Sequence, residues 1–220
     1  MLKIGTVTIG QTPRVDVVPE IEGLISGKVE IVEKGALDGL TPEQIKGFKP
    51  KKDSDTLVTR LRDGTEVTIG ESYIIPRIQK IVSELENEDI DIITLLCSGE
   101  FPIIQSKKPL LMPHRLFAGV LSSIRIGGKL GVLVPSQRQV SGTIDTFNNR
   151  GFRTVALSTS PYASAGGIAE AARGFKGQVG LVFMNCFGYS LEMKRTLRAL
   201  VGIPVILARS LLARALNELI

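Results

Sequence analysis

The sequence predicts an α/β protein with two pseudo-symmetric lobes, each built on a parallel β-sheet flanked by helices. Apolar, β-branched runs alternate with segments of helical period along the chain, which is the pattern of parallel sheets. The two cysteines each follow an apolar run and precede a glycine, as Cys-Ser-Gly at 97–99 and Cys-Phe-Gly at 186–188. The strand opening at 3–7 is echoed at 129–133, so we expect a duplicated unit.

The periodicity places each element along the chain. Thr12 and Thr41 are each followed by proline, a helix cap with proline at the first helical position. Strands are expected at about 2–8, 28–33, 91–97, 129–134, 153–158, 179–185 and 203–207. Helices are expected at about 13–25, from Pro42 onward, and at about 71–86, 113–125, 137–150, 162–175, 190–200 and 208–219.

One segment departs from this alternation. Residues 57–69 alternate with period two around the pair Asp63-Gly64, which predicts an antiparallel β-hairpin. We interpret it as an insertion at about 55–70 in the first lobe. The first lobe is then expected to comprise about 1–112 plus 206–220, and the second about 113–205.

Composition restricts the class of protein. Of 220 residues, 43% are hydrophobic and 22% charged, as in ordinary globular proteins. Two cysteines are too few for a disulfide framework and fit no zinc signature, so we expect reduced thiols and no metal. The net charge of +5 is scattered and tryptophan is absent, which argues against a nucleic-acid partner. No apolar run approaches about 18 residues, and we expect a cytoplasmic protein without membrane attachment.

The cysteines are the candidate catalytic residues. A residue directly after a buried parallel strand lies at the sheet edge where α/β proteins bind small molecules, and two such thiols suggest paired acid/base chemistry. The alternative is two buried structural cysteines. The backbone N–H groups at the following turns would stabilise a thiolate and a developing enolate. These candidate substrate-binding residues are Ser98, Gly99, Phe187 and Gly188.

The loops after the first strand of each half are candidate carboxylate sites. Gln11, Thr12 and Arg14 lead into the first predicted helix, with Arg14 as a bidentate partner for a carboxylate. Ser136 and Gln137 have the corresponding layout in the second half. Surface exposure is the alternative for Arg14.

Among the tyrosines, Tyr189 is the best placed to line a pocket because it follows Cys186 by three residues, and packing at a helix start is its alternative. The single histidine, His114, is interpreted as structural.

Several segments together resemble one known family. They are the sequence TIGQTPR at 8–14, the Cys-Ser pair at 97–98, Leu-Met-Pro at 111–113 and Cys-Phe-Gly at 186–188. They resemble the AroM family, which has no established reaction and whose name reflects an association with aromatic, shikimate-linked genes. That family is similar to the aspartate/glutamate racemase superfamily, whose members have two α/β lobes related by a pseudo-twofold axis and a site between them.

This resemblance implies a cofactor-independent racemase or isomerase. One thiolate would remove the proton next to the carboxylate of a small molecule, and the opposite thiol would return one; related folds often form homodimers. Racemases carry Cys-Asn-Thr and Gly-Cys-Thr-His, whereas this chain has Cys-Ser-Gly at 97–99 and Asn-Cys-Phe-Gly at 185–188. Two alternatives therefore stay open. One is a single-thiol decarboxylase, and the other is a non-catalytic carboxylate-binding or regulatory protein linked to aromatic metabolism.

Overall fold

The computed structural model describes residues 1–163 and 166–219. It divides into two compact units. Unit 1 comprises Met1–Leu116 and the chain from Leu212 onward, and unit 2 comprises Phe117–Leu211. Residues 164 and 165 of the helix predicted at 162–175, and residue 220 of the predicted first lobe, lie outside the described residues.

Unit 1 contains a four-stranded parallel sheet and a separate hairpin. Its elements, in chain order, are β1 (Leu2–Thr8), α1 (Val18–Glu22), β2 (Val29–Gly35), α2 (Pro42–Lys46), β3 (Thr56–Arg60), β4 (Glu66–Gly70), α3 (Glu71–Glu86), β5 (Ile92–Leu95) and β6 (Leu110–Leu111). The strand order is β2-β1-β5-β6, and all three pairings are parallel.

The central strand β1 and the long helix α3 form the core of unit 1. In β1, Ile4 and Val7 are fully buried. In α3, four fully buried side chains recur at helical spacing and form one apolar face: Ile74, Ile78, Val82 and Leu85. A side chain at Gly5 would lie 3.1 Å from Leu85, so the glycine in β1 allows the helix to approach the sheet.

The inserted segment is the predicted antiparallel hairpin. β3 pairs with β4 from Thr56↔Gly70 to Arg60↔Glu66, and Gly64 in the turn has φ 92°, a conformation that favours glycine. The hairpin contacts the loop after β1. A Cβ at Gly10 would lie 2.4 Å from Thr59 Oγ1, and Arg62 donates its backbone N–H to Gln11 Oε1 at 3.0 Å.

Unit 2 contains a second four-stranded parallel sheet. The chain enters through α4 (Pro113–Ser122) and continues through β7 (Lys129–Val134), α5 (Val140–Asn149), β8 (Thr154–Ser158), α6 (Gly166–Phe175), β9 (Val179–Met184), α7 (Leu191–Val201), β10 (Val205–Leu207) and α8 (Ala208–Asn217). The unit boundaries fall within α4, at Phe117, and within α8, whose residues from Leu212 belong to unit 1. The strand order is β8-β7-β9-β10, again parallel throughout.

The core of unit 2 repeats the arrangement of unit 1. Gly131 in the central strand β7 faces Phe175 of α6, whose ring would lie 3.0 Å from a Cβ at that position. Phe175 is fully buried, as are Val182 and Leu197. The prediction of an α/β fold with parallel sheets and a first-half hairpin is therefore confirmed.

Two element predictions need correction, and one short strand was not predicted. The first helix begins at Val18 rather than near Pro13, because the Thr12 backbone N–H and hydroxyl bind Asp38 instead of capping a helix. Residues Gln137–Gln139 form a 3-10 turn before α5. The two-residue strand β6 carries too short a pattern to be predicted. At Thr41 the predicted cap is confirmed, with a reciprocal capping box to Gln44.

Within the described part of the chain, no helix combines the length and apolar character needed to cross a bilayer.

Candidate functional site

Each cysteine is held at the end of a strand by the central strand of its own sheet. Cys97 follows β5, and the preceding residue, Leu96, donates its N–H to the Val7 carbonyl of β1 at 2.8 Å. Cys186 follows β9, and the preceding residue, Asn185, donates to the Leu133 carbonyl of β7 at 2.9 Å. An equivalent hydrogen bond therefore positions each thiol at the carboxyl edge of its own sheet.

Each sulfur accepts a hydrogen bond from the glycine two residues later. Gly99 N–H donates to Cys97 Sγ at 3.4 Å, and Gly188 N–H donates to Cys186 Sγ at 3.3 Å. Neither cysteine forms a disulfide, and the two are 8% and 9% exposed. An N–H donor favours the thiolate over the thiol. Gly99 and Gly188, which were predicted to supply backbone N–H donors, therefore donate to the cysteine sulfurs.

The glycine of the Cys186 turn is required by space. A Cβ at Gly188 would lie 2.5 Å from Pro161 Cγ and 2.8 Å from the Tyr162 hydroxyl. A Cβ at Gly99 would meet Leu57 of the hairpin only at 3.3 Å. Neither glycine has a positive φ, so the need at position 188 is for room rather than for an unusual backbone conformation.

The loop after β1 binds internal carboxylates in this structure. Thr12 donates its N–H and hydroxyl to Asp38 at 3.0 and 2.6 Å. Arg14 is 3% exposed and forms a bidentate pair with Asp16, at 2.9 Å through Nε and 2.8 Å through Nη2. Gln11 donates to the Leu37 carbonyl at 3.4 Å. The three predicted residues thus lie together, and their polar groups shape the loop.

The corresponding loop of unit 2 is more open. Ser136 Oγ accepts the Arg138 N–H at 3.3 Å, and the exposed Gln137 accepts the Ser158 hydroxyl at 2.9 Å. Because Ser158 ends β8, these contacts join the loops that follow β7 and β8. Ser136 and Gln137 are therefore brought to the same sheet edge as Cys186.

The two aromatic residues predicted in the Cys186 turn are buried. Phe187 is 3% exposed, and Tyr189 is fully buried with its hydroxyl donating to the Thr159 carbonyl at 2.7 Å. Tyr162, which is half-buried, brings its hydroxyl beside Gly188 instead. The loop that carries Tyr162 has no periodic pattern, so sequence spacing to Cys186 could not identify it.

A buried arginine at the Cys186 turn was missed by the sequence analysis. Arg209 is 1% exposed and donates to the Phe187 carbonyl through Nε at 3.0 Å and Nη2 at 2.6 Å. It is the second residue of α8, and Leu211 and Leu212 follow it closely in an apolar helix. A lone charge on an apolar helix face was the available signal, since buried arginines are rare unless their donors are bound.

The Cys97 turn has acidic neighbours. Burial, followed by the carboxylates of Asp55 and Glu100, raises the pKa of Glu71 above its ordinary value, and Lys52 opposes the change. Asp55 is itself buried and accepts the Ser72 N–H at 3.0 Å.

Within residues 1–163 and 166–219, no group of three or more His, Cys, Asp or Glu side chains is arranged to hold a metal ion.

Comparison with known proteins identifies the family. A sequence profile described as AroM protein matches residues 4–220. The chain belongs to the AroM family. A comparison with curated protein sequences gave no match.

Solved structures share the fold at low identity. Glutamate racemase from Aquifex pyrophilus is 16% identical, with a TM-score of 0.61 over 100% of this chain and 84% of its own. Maleate isomerase Iso from Pseudomonas putida S16 is 11% identical, with a TM-score of 0.65 over 99% and 92%. Arylmalonate decarboxylase is 10% identical, with a TM-score of 0.62 over 98% and 92%. The AroM chain therefore has the aspartate/glutamate racemase-like fold, as the resemblance implied.

Proposed function

We propose that this AroM family protein is a cofactor-independent enzyme of the racemase/isomerase type, which transfers protons next to the carboxylate of a small molecule through Cys97 and Cys186. One observation carries the proposal. Two cysteine thiols, one in each compact unit, have equivalent strand-end hydrogen bonds and equivalent glycine N–H donors to sulfur. We identify the two units with the two expected lobes.

The proposed reaction needs only the two thiols. A thiolate takes the proton from the carbon next to the carboxylate, and the electron pair of that C–H bond moves into the carboxylate to give an enediolate. The other thiol then donates its proton to the opposite face, so that charge and atoms balance. Glycine N–H groups at both turns favour whichever sulfur is anionic at each stage.

The substrate carboxylate needs donors besides the turns. We propose Ser136 and Gln137 as its first contacts, because their side chains lie at the open edge of unit 2. Gln11, Thr12 and Arg14 shape the loop after β1 through their hydrogen bonds. A substrate carboxylate that reached Thr12 would compete with Asp38 for the same two donors.

A single-thiol decarboxylase is the second candidate. The two turns have equivalent glycine N–H donors but different charges nearby. A buried arginine binds the Cys186 turn, and carboxylates lie near the Cys97 turn. Decarboxylation generates the enediolate by loss of CO₂, so it requires only one thiol to protonate the product. This asymmetry of charge is the observation that favours it.

Solvent deuterium exchange tests the proposal. The purified protein is incubated in D₂O with aspartate, glutamate, maleate and phenylmalonate, and label is followed by NMR. We expect deuterium at the carbon next to a carboxylate for at least one acid, and about a hundredfold loss or more for both Cys97→Ser and Cys186→Ser. Melting curves control for folding of the variants.

The outcomes separate the candidate functions. CO₂ release from phenylmalonate that survives serine substitution of one cysteine but not of the other identifies the decarboxylase. Binding of an acid without exchange or CO₂ release identifies the non-catalytic binding protein. If no acid shows exchange, product or binding, the proposed function is wrong for this substrate class.

A further inference from the structure

Arg209 is a buried cation bound to the turn that carries Cys186. Burial of a charged group is costly unless its donors are bound. Two of its N–H groups converge on one acceptor, the Phe187 carbonyl, at 3.0 and 2.6 Å. This acceptor belongs to the turn that carries the thiol, and not to a distant part of the core.

The decisive feature is the peptide group that joins Phe187 to Gly188. Its oxygen accepts from Arg209, and its N–H, at the opposite end of the same planar group, donates to Cys186 Sγ at 3.3 Å. Hydrogen bonds in such a chain polarise one another, so a cation on the oxygen makes the N–H a stronger donor. Arg209 therefore stabilises negative charge on Cys186 through this peptide group.

The Cys97 turn has the same donor but different charges. Gly99 N–H donates to Cys97 Sγ at 3.4 Å, and the next residue is Glu100, whose carboxylate helps to raise the pKa of Glu71. Lys52 is a cation that opposes this change. A carboxylate directly after the Gly99 donor disfavours an anion at this turn. Near Cys186, the tyrosine hydroxyls of Tyr162 and Tyr189 add no charge.

We propose that Arg209 is a positioning residue that holds Cys186 as the thiolate, through the Phe187–Gly188 peptide, while Cys97 remains the protonated thiol. The catalytic consequence rests on the proposed function: Cys186 accepts the substrate proton, and Cys97 donates the replacement. The difference between the two thiols is a property of the folded chain and is present without substrate.

The test measures thiolate formation directly. The ultraviolet absorbance of the thiolate is followed against pH in the folded protein, using Cys97→Ser to report on Cys186 and Cys186→Ser to report on Cys97. Each is combined with Arg209→Met, which keeps the length but removes the charge, and with Arg209→Lys, which keeps the charge but loses the two-donor fork.

We expect the Cys186 midpoint to lie at least about one pH unit below that of Cys97. Arg209→Met should raise the Cys186 midpoint by about one unit, and Arg209→Lys should raise it by less. The Cys97 midpoint should be unchanged by either substitution. A merely structural role for Arg209 would lower the melting temperature without separating the two cysteines in this way.

Two results would overturn the assignment. One is a Cys97 midpoint at or below that of Cys186 in the proteins with an intact Arg209. The other is a Cys186 midpoint that does not move in a folded Arg209→Met or Arg209→Lys variant. If Arg209→Met fails to fold, the first comparison and the lysine variant still decide. The measurement needs no substrate, so its failure is distinguishable from an absence of deuterium exchange.

Discussion

At the scale of single residues, Thr59 has a buried hydroxyl with no hydrogen-bond partner among the described residues. The residue is 1% exposed and lies in β3 against Gly10. Burial of an unsatisfied hydroxyl costs about 1–3 kcal/mol. We expect Thr59→Val, which has nearly the same shape, to raise the free energy of unfolding by about 1 kcal/mol.

Chemical denaturation measures this change, with Thr68→Val as the control. Thr68 lies on β4 of the same hairpin and is exposed, so its substitution should change the free energy of unfolding by less than about 0.5 kcal/mol. Equal effects of the two substitutions would mean that the Thr59 hydroxyl carries no cost in the native state.

Glu71 gives a residue-scale prediction about pH. Burial, then Asp55 and Glu100, raise its pKa in the folded chain, so the native state binds this proton more tightly than the unfolded state. The stability contributed by the proton is present below the ordinary glutamate range and is lost as pH rises through the folded-state pKa. Glu71→Gln should therefore stabilise the protein at pH 7 and have no stabilising effect near pH 4.

Melting temperatures across that pH range check the sign, and Glu86→Gln is the matched control. A hydrogen bond from the Lys107 backbone N–H is the main cause that lowers the pKa of Glu86. Its neutral substitute should therefore destabilise the protein at pH 7, the opposite of Glu71→Gln. Two substitutions that shift the melting temperature in the same direction would contradict the electrostatic explanation.

At the scale of elements, the two Cys-x-Gly turns differ in how tightly they are packed. Gly188→Ala would push Cβ against Pro161 and Tyr162, so the turn must move. We expect a loss of about 1–3 kcal/mol in unfolding free energy. Gly99→Ala meets Leu57 at 3.3 Å, and we expect a smaller loss of less than about 1 kcal/mol.

Denaturation curves of the two alanine variants test this difference. The variants are matched because each adds one methyl group to a glycine whose N–H donates to a cysteine. A Gly99→Ala variant as unstable as Gly188→Ala would show that the hairpin side chain cannot give way. It would also assign the glycine at position 99 the same packing role.

Local and long-range interactions explain which elements the sequence could predict. At Thr41 the capping partner is Gln44, three residues away, so the cap is visible in the sequence. At Thr12 the same Thr-Pro pair binds Asp38, which only the folded β2 loop brings near. A helix predicted from Pro13 was therefore wrong: the Thr-Pro pair occurs at both places, but Val15 stands where Gln44 supplies the second half of the capping box.

The same distinction applies to the candidate site. The cysteines and their glycines are local in sequence, and the N–H to sulfur hydrogen bond spans two residues. Arg209 reaches the Cys186 turn from 22 residues away, and Tyr162 reaches it from another loop. Periodicity reports which residues are apolar on one face, whereas it carries no information about which loop ends meet.

At the scale of the whole molecule, the two units repeat one construction. Each central strand has a glycine that admits a helix, Gly5 for Leu85 and Gly131 for Phe175. Each sheet places the cysteine-bearing strand beside its central strand. This agreement between strand order and packing supports the duplication far better than the short sequence echo at 3–7 and 129–133.

The C-terminal segment from Leu212 belongs to unit 1, although the chain before it belongs to unit 2. Leu216 is 1% exposed, and Asn217 accepts the Ser26 N–H at 2.6 Å. Leu216→Ala should reduce the free energy of unfolding by about 2–4 kcal/mol and accelerate amide hydrogen exchange in β1 and β2. The matched variant Leu197→Ala removes a fully buried side chain of α7 in unit 2.

Exchange measured by mass spectrometry distinguishes the two variants. Local opening follows the unit that loses its packing, so Leu216→Ala should expose β1 and β2 while Leu197→Ala exposes β7 and β9. If both variants accelerate exchange equally in all four strands, the units unfold as one cooperative body. In that case the C-terminal segment stabilises the whole protein and not unit 1 alone.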